Sequence, residues 1–368
     1  MKRIYLFLIL LLVLTSCDEF NLTAESPSEF TETPVTMSLQ DNLTVHYIDA
    51  GQADATLFQF SDGNKDYNIL YDVGDFKRTD VIEYLHKEAI ELIDLIIISH
   101  PHADHIGQLD KIINQFQVDE IWMSGNTSTT QNFINSIEAM LDNDIAYDEP
   151  RAGMDFDIGD LKINILHPKE LTGKLNEDSL SVRFTYGSMN FLFTGDAYKN
   201  EEKRMIDTGN IQSQFLQLGH HGSNTSSAPE FIEAVNPEVA IYSAGKGNTY
   251  GHPHPDVINH LKQKNIEVIG TDTHGTIKVI SDGQSYNIET LNPNTERETP
   301  ISDRACIDIN TASQAELTQI AHIGNERAQD LINQRPYEKV SQLRRINGIG
   351  KGRLKDIIEE NTACVGGH

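Results

Sequence analysis

Between residues 43 and 291 the chain alternates short apolar runs with longer amphipathic stretches. The runs "LTVHYI", "ATLFQF", "YNILYDVG", "LIIIS", "LKINIL", "LSVRFTYG", "NFLFTGD", "EVAIYS", "IEVIGT" and "TIKVIS" are rich in β-branched and aromatic residues and predict strands. Stretches at 105–116, 129–142, 198–207, 227–235 and 255–264 are amphipathic and predict helices. Alternation of this kind predicts a mixed α/β domain over residues 42–291. The polar segment "NPNTERETPISD", 292–303, carries two prolines and predicts a linker. Residues 304–364 are helical in pattern throughout. "SQAE", Ser313 to Glu316, is a capping box that opens a helix, and Pro336 closes the helix after it. Two Ile-Gly turns, Ile323-Gly324 and Ile349-Gly350, separate helices at similar relative places.

The N-terminus follows a different pattern. Lys2 and Arg3 precede the eleven apolar residues "IYLFLILLLVL", which suit a signal peptide and fall short of the roughly 20 needed to span a bilayer. The following "LTSC" resembles a bacterial lipobox. The expected division is a signal peptide over 1–16, a lipidated Cys17 as anchor, and a Glu-, Ser-, Thr- and Pro-rich tether over 17–41, on the extracytoplasmic face of the membrane. Cys306 and Cys364 flank the helical segment, where an oxidising compartment would let them pair.

Composition changes one point. The formal net charge is −26, which excludes nucleic-acid binding by bulk attraction. Residues 301–368 hold nine acidic and nine basic residues, so the whole excess lies in the rest of the chain. Any polyanion must be held locally, by metal, backbone amides or a small basic patch.

"SHPHADHIG", Ser99 to Gly107, follows a predicted strand and sets His100, His102, Asp104 and His105 within six positions. Imidazole nitrogens and carboxylate oxygens suit zinc, manganese or iron. Four such groups exceed what one open catalytic site takes and fit a pair of divalent ions. Such a pair lowers the pKa of a bound water and stabilises charge on a phosphodiester.

These residues resemble the HxHxDH motif of the metallo-β-lactamase fold. Asp196 in "FTGDA" then matches the residue that bridges two metals in that family. His220 or His221 in "QLGHHGS" would complete the second site, with His220 preferred. The resemblance narrows to the hydrolase domain of the competence protein ComEC. Its entry strand is similar to "YIDAGQADATLF", with Asp49, Gly51, Gln52 and Asp54, and "NILYDVG" places Asp72 and Gly74 at a turn near the metals. It implies an αββα sandwich and two zinc or manganese ions. His100 and His102 would hold one ion, and Asp104, His105 and a histidine of the 220–221 pair the other. "NEDSLSVRF" stands where many relatives carry a third-motif histidine, which leaves Asn176, Asp178 or Ser179 for that place, Asp178 being carried as a candidate ligand. Asp104, together with His252 and His254 of "YGHPH", forms the expected catalytic set; the two histidines are candidates for protonating a leaving group or touching phosphate. The membrane channel of ComEC has no counterpart in this sequence.

The tail resembles the tandem helix-hairpin-helix of the DNA receptor ComEA, which implies sequence-independent contact between backbone N–H groups and phosphates. The residues concerned are Ile323 and Gly324 in the first hairpin and Ile349, Gly350, Lys351, Gly352 and Arg353 in the second, with Arg344 and Arg345 adding charge. The first hairpin has Ala321-His322 where Pro-Gly is usual, so the second is expected to make the stronger contact. The function implied is a surface-anchored nuclease or phosphodiesterase acting on DNA, in processing or uptake. The alternatives are a hydrolase of another substrate, such as a phosphocholine ester, lactone or β-lactam, and a non-catalytic DNA receptor.

Overall fold

The structure is a computed structural model that describes residues 42–292, 307–359 and 363–366. The expected signal peptide, Cys17 and the tether fall outside the described residues. No described helix is long and apolar enough to cross a membrane.

Fifteen strands build two sheets that face each other. The first sheet contains β1 (Leu43–Tyr47), β2 (Ala55–Ser61), β3 (Asp66–Val73), β4 (Leu92–Ile98), β5 (Gln117–Met123) and β6 (Ala146–Asp148). The second contains β7 (Asp155–Ile158), β8 (Leu161–His167), β9 (Ser181–Tyr186), β10 (Met189–Phe193), β11 (Phe215–Gln217), β12 (Val239–Tyr242) and β13 (Glu267–Gly270). The chain then returns to the first sheet with β14 (Ile277–Ser281) and β15 (Tyr286–Thr290). Strand order is β15-β14-β1-β2-β3-β4-β5-β6 in one sheet and β13-β12-β11-β10-β9-β8-β7 in the other. Each sheet is part antiparallel and part parallel, with β3 to β6 and β10 to β13 as the parallel runs.

The strand alternation explains the layering. Phe58 and Phe60 of β2 join Tyr71, Phe184, Phe191, Phe193 and Phe215 in the core between the sheets, where the Phe58 and Phe184 rings lie 4.3 Å apart. Ala55 and Leu57, one position out of phase, face the helices Asp80–Lys87, Leu109–Ile113 and Gln131–Asp142. The outer face of the second sheet is covered by Lys199–Ile206, Pro229–Val235 and Pro255–Gln263. The result is the expected αββα sandwich. The helix expected over 105–116 is confined to Leu109–Ile113, because His105 and Ile106 donate their backbone N–H to His102 O and spend those residues on a turn.

The tail forms its own small core, around Leu317, Ile323, Leu331, Leu343, Ile349 and Ile357. Its helices are Gln314–Leu317, Asn325–Asn333 and Lys351–Glu359, with a 3-10 turn at Val340–Arg345. The Ser313 side chain accepts from Glu316 N while Glu316 reaches back to Ser313 N, completing the capping box. The segment is not purely helical: Ile307–Asp308 (β16) pairs in parallel with Ala363–Cys364 (β17) and closes the module's two ends. Cys364 is disulfide-bonded; Cys306 lies outside the described residues.

One buried acid outside the metal cluster carries a measurable consequence. Glu202 accepts the backbone N–H of Ser227 and of Ala228. Burial pushes its carboxyl up to about 7, against the pull of those two donors. The folded state therefore binds more protons than the unfolded chain from the ordinary carboxyl range up to about pH 7. We expect unfolding free energy to fall as pH rises through that window, by at most about 1.4 kcal/mol per pH unit for this group. Urea titrations at several pH values check this: Glu202→Gln flattens that part of the profile, and an unchanged slope contradicts it.

Candidate metal centre

The residues of interest leave the C-terminal ends of strands: Asp72 and Gly74 from β3, Ser99 to His105 from β4, Asp196 from β10, His220 and His221 from β11, Ser243 from β12. Parallel strands deliver their ends to one rim, where α/β proteins place their ligands. Gly195, at φ +53°, lets the turn after β10 press on the turn after β4; a Cβ there would lie 2.7 Å from Ser99 Cβ.

Hydrogen bonds fix four imidazoles in one tautomer. His105 Nδ1 donates to Asp72 Oδ2 at 2.8 Å. Asp72 also accepts Ser99 N at 2.7 Å and Ser99 Oγ at 2.8 Å, so that hydroxyl is free to accept from His100 Nδ1 at 3.0 Å. His221 Nδ1 donates to Ser243 O at 3.1 Å. His220 Nδ1 donates to Thr225 Oγ1 at 3.0 Å, whose proton goes to Ser223. Each ring therefore turns its Nε2 toward the cluster.

Those nitrogens converge on Asp196. Its Oδ1 lies 3.3 Å from His105 Nε2, both atoms buried and neither completing a hydrogen bond. Its Oδ2 lies 3.6 Å from His100 Nε2 and 3.4 Å from His220 Nε2. His102 Nδ1 sits 2.9 Å from His100 Nε2, close enough for both nitrogens to reach one ion. His221 Nε2 meets Asp104 Oδ2 at 3.4 Å, and Asp104 Oδ1 is 4.0 Å from His105 Nε2. The donor set fits divalent metal on both sides of Asp196: His100, His102 and Asp196 on one, His105, His221 and Asp196 on the other, with Asp104 at the mouth.

Electrostatics agree. Burial holds His100 well below the usual imidazole range. Burial opposes charge on His105 too, but Asp196, Asp72 and Asp104 together hold it well above that range. The same contest at His221, burial against Asp54, Asp104 and Asp196, ends with its pKa pushed up to about 9. Asp196 is held well below the carboxylate range, its own burial outweighed by His105 and His100.

Several expectations change. The pair His220-His221 sits at successive positive φ values of 53° and 57°, which splays the adjacent rings apart, His220 Nε2 toward Asp196 Oδ2 and His221 Nε2 toward Asp104 Oδ2. His221, not the preferred His220, joins Asp104 and His105, while His220 faces the His100 side. Asp178 does not join the cluster: its carboxylate accepts from Asn126 Nδ2, Thr172 N and Gly173 N. Asn176 Nδ2 reaches the Asp196 carboxylate at 3.4 Å, and Ser179 Oγ accepts Asp196 N at 3.1 Å. His252 lies between His220 and His221, at ring distances of 5.6 and 6.2 Å, with a buried Nδ1 that has no hydrogen-bond partner. Its pKa is lowered by burial and then by the charges of His221 and His220. His254 caps Pro255–Gln263, accepting Asp256 N, and meets Asn224.

The sequence alone gives Asp54 no role beyond its place in the entry-strand motif. It stands 3.9 Å from His105 Nδ1 and 3.7 Å from His221 Nδ1, behind rings whose Nδ1 atoms are already engaged, and accepts Gln217 Nε2 at 2.8 Å. Burial pushes its carboxyl up to about 6, against the pull of both histidines. Among the described residues it makes no hydrogen bond to either ring; it groups with His105, Asp196 and His221, one ligand atom of each lying within 4.8 Å of the others, and adds negative charge behind the rings.

In the tail, Ile323 and Ile349 are core residues, so only their backbones face outward. Among the described residues, nothing lies within 4 Å of a Cβ placed on Gly324, Gly350 or Gly352. His322 takes φ +61°, as Gly348 does at +85°. Arg327 donates to His322 O and Arg353 to Gly348 O, so the two turns share one shape despite the Ala-His substitution. Arg345 packs over the Tyr337 ring at 4.5 Å, and Arg344 and Lys351 are exposed.

The chain matches the Metallo-beta-lactamase superfamily over residues 48–246 and the Helix-hairpin-helix motif over 302–360. It is 32% identical over 200 residues to ComE operon protein 3 of Bacillus subtilis, covering 54% of this chain and 26% of that one. Identity to Recombination protein 2 of Haemophilus influenzae is 30% over 243 residues, 64% of this chain and 28% of the relative. A deoxyribonuclease of Thioalkalivibrio sp. is 37% identical over 92 residues, 25% and 24% of the two chains. The chain therefore spans under a third of these relatives' length. Among solved structures it is similar to the metallo-beta-lactamase fold protein YhfI of Bacillus subtilis, with a TM-score of 0.41 and 14% identity over 62% of this chain and 95% of that one.

Asp72 supports two ligand turns from outside. Asp72→Asn is expected to weaken divalent-ion affinity about 10–100-fold in chelator competition, whereas Asp178→Asn, in its separate network, leaves that affinity unchanged. Thermal unfolding of both variants confirms that the fold persists. Equal affinity in Asp72→Asn and the unaltered protein contradicts the assignment.

Proposed function

The chain belongs to the metallo-β-lactamase superfamily, and on that footing we propose that it is a metal-dependent phosphodiesterase acting on DNA, with the helix-hairpin-helix module holding the substrate. The observation that carries the reading is the presence in one chain of two imidazole sets facing the two oxygens of Asp196 and a matching helix-hairpin-helix module. Likeness to a deoxyribonuclease supports the same substrate.

In this reading His100, His102 and His220 hold charge on one side of Asp196, and His105, His221 and Asp104 on the other. Divalent ions held there supply a water of lowered pKa and positive charge for the phosphoryl oxygens. Asp104, with its side chain 35% exposed, is the cluster's open carboxylate and orients the attacking water. His252 donates a hydrogen bond to a phosphate oxygen. Asp72, Ser99 and Ser243 keep the rings in register, which preserves the separation on which catalysis depends. The tail raises the local concentration of substrate that an acidic body would otherwise repel. A lipid on Cys17 would place the enzyme at the outer face of the membrane.

The test is hydrolysis by the purified protein with added manganese or zinc, against single- and double-stranded DNA, RNA, a small phosphodiester, a phosphocholine ester, a lactone and a β-lactam. We expect DNA cleavage that chelator abolishes and that His102→Ala or Asp196→Ala removes. Turnover of the β-lactam, lactone or phosphocholine ester alone overturns the reading. Because both hairpins keep the same turn and both glycines face open space, Gly324→Val with Gly350→Val is expected to lower affinity for long DNA about tenfold or more and to flatten its salt dependence. Hydrolysis of the small phosphodiester reports on the metal centre separately. Unaltered DNA affinity would move substrate holding away from the tail.

A further inference from the structure

Tyr250 is the most exposed of the large apolar side chains among the described residues, at 72%. Burial does not account for it, and among the described residues its hydroxyl makes no hydrogen bond. The backbone that carries it is nevertheless held. Asn248 Oδ1 accepts both Tyr250 N and His252 N at 3.1 Å, and Asn248 Nδ2 donates to Gly245 O at 3.0 Å. Gly251 between them takes φ +73°. His254 N donates to Gly222 O at 2.8 Å, tying this loop to the turn that carries His220 and His221.

The ring faces the metal cluster through a short ladder. Tyr250 lies against His252 at a centroid distance of 6.0 Å and an interplanar angle of 27°, and His252 lies against His221 at 6.2 Å and 28°. His220, beside His252, stacks in turn on half-buried Tyr198 at 6.1 Å and 29°. An exposed ring one ring contact from His252 and two from His221 stands about one nucleotide from the bond to be cleaved. Bases in a duplex are stacked on each other and cannot present a face to it. Bases in a single strand can, whatever their identity.

From this geometry we propose that Tyr250 stacks on a nucleobase next to the scissile phosphate and makes the centre select single-stranded nucleic acid. The inference rests on the phosphodiesterase reading above and adds the form of substrate that it takes. Tyr198, half-buried against His220, is the support for that histidine and not a second platform.

The test compares a single-stranded oligonucleotide with an oligomer of the same backbone in which every base is replaced by hydrogen, using the full-length protein loaded with manganese. The readout is the ratio of kcat/KM on the two substrates. In the unaltered protein the base-bearing strand is expected to be preferred about tenfold or more. In Tyr250→Ala that ratio falls toward one, and in Tyr250→Trp it is kept. A structural role for Tyr250 would lower both rates together and leave the ratio where it was, which overturns the proposal. Equal cleavage of single strand and duplex by the unaltered protein overturns it as well. If the unaltered protein cleaves neither oligomer nor any other phosphodiester, the phosphodiesterase reading itself falls, a result distinct from an unchanged ratio in an active enzyme.

Discussion

A carboxylate taken out of water must be given compensating charge, and Asp196 is almost wholly buried at the rim where two sheets meet. Much of the site follows from that requirement. Imidazoles crowd its two oxygens from separate turns, and their Nδ1 atoms are tied back to Asp72, Ser99, Ser243 and Thr225 so that the Nε2 atoms point inward. The orphaned pair His105 Nε2 and Asp196 Oδ1 marks where protein atoms alone leave the demand unmet.

The sandwich makes such crowding possible. Neighbouring parallel strands end together, so turns from β3 and β4 in one sheet meet turns from β10, β11 and β12 in the other without long loops. Close approach at Gly195 and left-handed backbone at Asp72, His220 and His221 are local strains that the packed sheets sustain. An aromatic core between the sheets, with Phe191 and Phe215 stacked at 4.6 Å, sets the spacing from which the ligands reach.

Legibility in the sequence tracks how local each signal is. His100, His102, Asp104 and His105 are nearly contiguous, and a solvated loop rarely gathers so many ligand groups directly after an apolar strand. The strands buried on both faces are visible as apolar runs. β5 is not, since only its last three residues are fully buried, and β11 is not because three residues carry no period. The choice between His220 and His221 depends on two left-handed residues that composition does not reveal. Asp178 is the right residue type in the right segment, but loop amides claim its carboxylate. Asp54 and Asp72 are visible as residues near a turn; their work behind the rings depends on contacts across the fold. In the tail, His322 adopts the turn that a glycine usually provides, so the departure from pattern alters the sequence more than the backbone.

The central claim is that Asp196 is shared by two metal sites. Anomalous diffraction from crystals grown with manganese, recorded on either side of its absorption edge, addresses it most directly. The account predicts two peaks flanking Asp196, one against His100 and His102 and one against His105 and His221. A single peak, or a peak bound through Asp54 behind the rings, would contradict it.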